Sequence, residues 1–137
     1  MISAERYLAP TSLVQALAAL ADTGGATILA GGTDLMPQGH AGKVRPARSL
    51  LNIRRVPGLD TVAIDDGALR LGALVSAATL RAHALVREHA ALVAEAADHF
   101  ASAQIRNAAT LGGNLCNASP AGDLAPALLA LDAEVEF

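Results

Sequence analysis

At 137 residues and 53% apolar side chains, the chain is long enough for one domain with its own core and too apolar to stay disordered. A formal charge of −3 and only three aromatic residues (two Phe, one Tyr) exclude a nucleic-acid binder, which needs a basic footprint and stacking platforms. One cysteine, Cys116, and four histidines outside any metal-ligand spacing (His40, His83, His89, His99) exclude an internal disulfide, an iron–sulfur cluster and a zinc site of its own.

The opening stretch, MISAERYLAPTS, has no basic segment leading into a long apolar run, and nothing approaches the ~20 apolar residues of a membrane span. A cytoplasmic protein without membrane contact is expected. The segment APTSLVQALAALADTGG reads as the first helix, with Leu13, Leu17 and Leu20 on one face beside Val14 and Ala21. Thr11 or Ser12 caps it, and Gly24–Gly25 stop it. ATILA, 26–30, is a short strand that runs into Gly31-Gly32-Thr33-Asp34, followed by a helical turn that Pro37 interrupts.

RSLLNIR, 48–54, reads as a strand and VPGLD as a turn. The segment 61–75 has the pattern of a hairpin around Asp65-Asp66-Gly67. SAATLRAHALVREHAALVAEAADHF is helical over two segments, with Ser76 and Thr79 as candidate caps and Leu92, Ala96 and His99 on one face. A loop, RNAATLGGNLCNASPAGD, spans 106–123. LAPALLAL then forms a short helix, and AEVEF begins a strand at the end, Phe137. Helices alternating with strands indicate a mixed α/β (α+β) layer fold, and the hairpin excludes a purely parallel sheet.

Two Gly-Gly segments carry the candidate chemistry. In ILAGGTDL, Gly31 and Gly32 permit positive φ and close approach of a ligand, and consecutive N–H groups before a helical turn suit an anion such as a diphosphate. The same residues read equally as a strand–turn–helix junction with Thr33 as N-cap. The GxxxxGK[ST] and GxGxxG patterns are absent, so neither a P-loop nor a Rossmann site is present. In TLGGNLCNASPAGD, Gly112 and Gly113 again offer backbone freedom, and Thr110, Asn114, Asn117 and Ser119 offer uncharged donors and acceptors. Asp123 caps the next helix, with Pro126 in its first turn, or presents its carboxylate to a ligand, or both. No nucleophile–base pair stands out among Ser102, Ser119 and Cys116, and the basic cluster Lys43, Arg45, Arg48 reads as a solvated loop.

LAGGTDLMP followed by QIRNAATLGGNLCNASPAGDLAPALLAL resembles the FAD-binding medium subunit of the molybdenum hydroxylases, the xanthine dehydrogenase and carbon monoxide dehydrogenase family. The resemblance runs over nearly the whole chain, and NASPAGD is most similar to the xanthine dehydrogenase type. It implies a vanillyl-alcohol-oxidase-like (PCMH-type) FAD-binding domain across 1–137, as its N-terminal portion and incomplete at the C-terminus. It further implies FAD contacts at Ile28, Leu29, Ala30, Gly31, Gly32, Thr33, Asp34 and Leu35, at Thr110, Leu111, Gly112, Gly113 and Asn114, and at Asp123, with Phe100 near the flavin. The two Gly-Gly segments would face the FAD diphosphate from either side. The molybdenum cofactor would lie on a large partner subunit and the iron–sulfur clusters on a small one, with NAD+ or another acceptor taking the electrons. The alternative is a truncated fragment that keeps the fold and the subunit-contact surface but binds FAD weakly or not at all.

Overall fold

The computed structural model describes residues 4–136 and divides the chain into two compact units, Met1–Leu59 and Asp60–Phe137. Among the described residues no helix is long and apolar enough to cross a membrane.

The first unit is a parallel sheet with order β1-β3-β2: β1 (Arg6–Leu8), β2 (Thr27–Leu29) and β3 (Ser49–Asn52). The central strand is buried along Ser49, Leu50 and Leu51, as a strand flanked on both edges must be. Helix α1 (Leu13–Asp22) connects β1 to β2 and packs on β3. Ser12 caps it by accepting from the Gln15 N–H, and Gly24 and Gly25 follow it at positive φ (+61° and +123°), as the sequence indicates. Its buried residue is Ala16, while Leu13, Val14 and Leu17 are all more than half exposed. The Leu13–Leu17–Leu20 face is therefore not the core face. LVQALAALAD is apolar nearly all round, so periodicity does not single out a side, and the close approach to the sheet goes to the smallest residue.

Helix α2 (Leu35–His40) connects β2 to β3. Pro37 does not interrupt it. Pro37 occupies the third helical position, where the helix leaves N–H groups unbonded and a missing one costs little. Strand β1, three residues long, has no alternating pattern to betray it; it forms because β3 offers it a parallel edge.

The second unit opens with the expected hairpin, β4 (Val62–Asp65) against β5 (Ala68–Leu71). Asp66 and Gly67 both have positive φ (47° and 78°), the requirement of a two-residue turn that matches strand twist. Helices α3 (Ala77–Ala82), α4 (Ala84–His89) and α5 (Ala91–His99) follow, three segments where two were expected. The breaks fall at His83 and Ala90, which leave helical geometry although neither is Gly or Pro. Then come α6 (Ala103–Ala108), α7 (Leu111–Asn117) and α8 (Leu124–Ala130). Leu80, Val86 and Val93 are fully enclosed at the centre of the core, with Leu124 and Ala127 of α8 and the inner side of the hairpin around them.

Three expectations fail here. Most of the segment 106–123 is helical, broken at 109–110 and open as a loop at 118–123. On α5 the buried residues are Val93, Ala94 and Ala97, and Leu92 and His99 face outward. Residues 133–136 form no strand, since no ladder partner pairs with them, and Phe137 lies outside the described residues.

Arg81 of α3 and Asp98 of α5 form an ion pair on the surface of this unit, and the bond from Arg81 holds the Asp98 carboxyl below its usual range. A depressed carboxylate stabilises the fold above its unfolded pKa, and that contribution disappears as pH falls through the folded value. Acid titration of the wild type against Asp98→Asn should therefore show the difference in stability closing below about pH 4. A difference that does not narrow as the pH falls would rule out the pair as its source. In urea unfolding at neutral pH, Leu80→Ala should lose about 2–5 kcal/mol and the exposed Leu129→Ala under about 0.5 kcal/mol.

Candidate functional site

The two Gly-Gly segments resemble each other in sequence and differ in structure. In the first unit, β2 delivers the chain into Ala30-Gly31-Gly32-Thr33-Asp34 at the carboxyl edge of the parallel sheet, where open α/β sheets bind ligands. The strand is anchored on β3: the Ile53 N–H donates to the Leu29 carbonyl (3.1 Å), and Thr27 Oγ1 accepts from the Ala47 N–H (2.7 Å). Gly32 has φ +75°, and a Cβ there would lie 3.0 Å from Leu29 Cδ1 and 3.2 Å from Met36 Cγ. Gly31 is not in the left-handed region, so one glycine of the pair supplies the turn.

Asp34, not Thr33, occupies the N-cap position of α2, and it makes no capping bond. The N–H groups of Gly31, Gly32, Thr33 and Asp34 also have no acceptor among the described residues. Four successive unbonded donors on a half-exposed loop suit an anion with several oxygens. Ile28 is half exposed, and Leu35 begins α2.

The second Gly-Gly pair, in the other unit, is the first turn of α7. Here the reading of backbone freedom is corrected, because neither Gly112 nor Gly113 has positive φ. Every N–H in this turn already has a partner. Leu111 donates to the Val75 carbonyl (2.9 Å), Gly112 to the Ala73 carbonyl (2.8 Å), Gly113 to Thr110 Oγ1 (3.2 Å) and Asn114 to the Thr110 carbonyl (2.9 Å). Thr110 is itself buried and pairs with Ser76 in an antiparallel bridge. Gly112 is needed for proximity: a Cβ would fall 2.9 Å from Ala73 Cβ and 3.0 Å from the Ala73 carbonyl oxygen.

What this segment retains for a ligand is side chain. Asn114 Oδ1 is buried and has no hydrogen-bond partner. Asp123 stands at the N-cap position of α8 but accepts no capping bond, so the capping reading fails and its exposed carboxylate is unpaired among the described residues. Between them the chain turns through Ala118 (φ 48°) and a Ser119 turn in which Oγ accepts from the Ala121 N–H (3.2 Å). Cys116 is exposed on α7. Phe100, half buried, ends α5, and its carbonyl accepts from Arg106 Nη1 (2.9 Å). Sequence reasoning passed over Arg106, although it is the only charged residue between His99 and Asp123. That isolation was the available signal.

The residues fit FAD by two observations. The first loop has a run of free donors around a turn that a side chain would crowd, and the second segment carries an orphaned buried amide oxygen.

Residues 3–137 match the family model described as the FAD binding domain in molybdopterin dehydrogenase. Among curated proteins, a 6-hydroxypseudooxynicotine dehydrogenase complex subunit alpha from Paenarthrobacter nicotinovorans is 40% identical over 94% of this chain and 44% of its own length. The xanthine dehydrogenase FAD-binding subunit of Escherichia coli O157:H7 is 35% identical over 96% of this chain and 45% of its own. Among solved structures, carbon monoxide dehydrogenase from Hydrogenophaga pseudoflava superposes with a TM-score of 0.85 at 31% identity, over 90% of this chain and 43% of that one. The chain thus spans a little under half the length of these relatives.

Gly112→Ala should destabilise the protein by about 1–3 kcal/mol in urea unfolding, since the neighbour in the way includes backbone. Adding Ala73→Gly should recover part of that loss by removing the nearer of the two contacts. A Gly112→Ala loss under about 0.5 kcal/mol would mean the approach is not tight.

Proposed function

This chain belongs to the family of FAD-binding domains of molybdopterin dehydrogenases, and from that premise we propose that it is the FAD-holding, electron-transferring part of a molybdenum-containing hydroxylase or dehydrogenase complex. Electrons would come from iron–sulfur clusters on a small partner subunit, fed by a molybdenum centre on a large one, and leave for NAD+ or another acceptor. The substrate would be bound and oxidised on the large subunit. The observation that carries the reading is the run of four unbonded N–H groups from Gly31 to Asp34 around the positive-φ turn at Gly32.

When bound, FAD supplies the chemistry that accepts and passes on electrons, and the protein's task is to bind and orient it. The N–H groups of Gly31, Gly32, Thr33 and Asp34 would donate to the diphosphate oxygens, with the Thr33 hydroxyl as a further donor. Ile28, Leu29, Ala30 and Leu35 would hold this loop between strand and helix. Net charge supports the assignment. The first unit has six Lys and Arg against three Asp and Glu, whereas the second has four against ten. An anionic diphosphate is favoured by the first field and repelled by the second.

The second unit would contribute contacts of a different kind. The buried Oδ1 of Asn114 and the free carboxylate of Asp123 suit the hydroxyl and amide groups of the cofactor. Thr110, Leu111, Gly112 and Gly113 would present the closely packed start of α7. Phe100 would offer an apolar ring toward the flavin. The second reading, a fragment that keeps the fold but holds FAD weakly, is favoured by one observation: the relatives have more than half of their length outside this match.

Titrating the chain with FAD and following flavin fluorescence should show saturable quenching. Gly32→Ala should weaken FAD by roughly tenfold or more, about 1.4 kcal/mol, with the circular dichroism spectrum unchanged. Saturable binding that Gly32→Ala leaves intact would remove the diphosphate loop from the proposal. Absence of binding by this chain, with binding by a chain extended beyond Phe137, would favour the fragment reading.

A further inference from the structure

One guanidinium ties down the end of α5. Arg106 Nη1 lies 2.8 Å from the carbonyl oxygen of Ala101, 2.9 Å from that of Phe100 and 3.3 Å from that of Asp98. Asp98 and the C-cap Phe100 carry carbonyls that a helix leaves without partners at its C-terminus, where a cation also meets the favourable end of the backbone dipoles, and Ala101 is the residue just beyond. The turn they form has no glycine. Ala101 takes φ +43°, the left-handed region that disfavours a Cβ. Arg81 occupies the Asp98 carboxylate, so what faces Arg106 from α5 is carbonyl oxygen.

We propose that Arg106 is a positioning residue. It holds the strained Phe100–Ala101 turn closed from the last turn of α6 and thereby sets where the Phe100 ring stands. Arg106 Nη1 has two N–H groups for these three acceptors, so at least one is shared between carbonyls, and the shorter-headed lysine side chain would have to place its nitrogen at the same point to replace it. The functional consequence, a fixed aromatic ring toward the flavin, rests on the FAD-binding reading above. The grip on the turn does not.

The chain has two phenylalanines, Phe100 and Phe137, so labelling with para-fluorophenylalanine gives two fluorine NMR lines, assigned with Phe100→Leu. In the wild type the Phe100 line should be displaced from the free amino-acid position. Arg106→Met should move it to that position and Arg106→Lys part of the way, while Arg81→Met should leave it in place. An unmoved line in folded Arg106→Met overturns the proposal. Should Arg106→Met alone fail to fold, adding Ala101→Gly relieves the left-handed strain. A refolded double variant with the line at the free position supports the grip, and a line at the wild-type position overturns it. Addition of FAD should shift the wild-type Phe100 line and lose that effect in Arg106→Met. A wild-type line insensitive to bound FAD, with the Arg106 response intact, sinks Phe100 as a flavin contact and leaves the grip standing.

Discussion

The second unit depends on a short antiparallel backbone pairing that no secondary-structure pattern announces. Residues 73–77 run beside 109–112. Ala77 donates to Ala109, Leu111 to Val75 and Gly112 to Ala73, with Ser76 opposite Thr110. This pairing satisfies the N–H groups that the start of α7 would otherwise leave open. It also joins the caps of two helices, since Ser76 begins α3 and Thr110 begins α7. Buried backbone groups without partners are costly, so two segments far apart in sequence are held at fixed register. The absence of a Cβ at Gly112 is the steric condition for that approach.

That pairing changes the meaning of a repeated motif. Two Gly-Gly pairs, each after a short apolar run and each beside Thr, suggest one job done twice. Gly32 supplies a left-handed turn and leaves a row of donors open. Gly112 supplies close packing, and the donors of its turn are consumed inside the protein. Glycine has no side chain to declare which role it plays; φ and the neighbouring atoms decide. The chemistry available to a ligand therefore differs between the units, backbone N–H in the first and the side chains of Asn114 and Asp123 in the second.

The division of charge follows the same line. The unit with the open donors is the basic one, and the acidic unit offers neutral amide and carboxylate groups. Ala101 is one of four non-glycine residues with a left-handed backbone, beside Asp66, Ala118 and Asp132, and the one whose carbonyl accepts from Arg106.

Much was legible in the sequence, for local reasons. Ser12 as a cap, the Gly24–Gly25 stop and the Asp66-Gly67 hairpin are set by interactions within a few residues, the strands 27–29 and 49–52 stand out as short apolar runs, and the family resemblance rests on motifs that stand in the sequence itself. What sequence could not decide was long-range. Strand β1 exists because β3 offers it an edge, and α1 turns Ala16 inward because an all-apolar helix lets packing choose its face. Pro37 is tolerated because α2 begins two residues before it. Local propensity determines where a helix or turn can form; only tertiary contact determines which donors are left free, and free donors are what a cofactor meets.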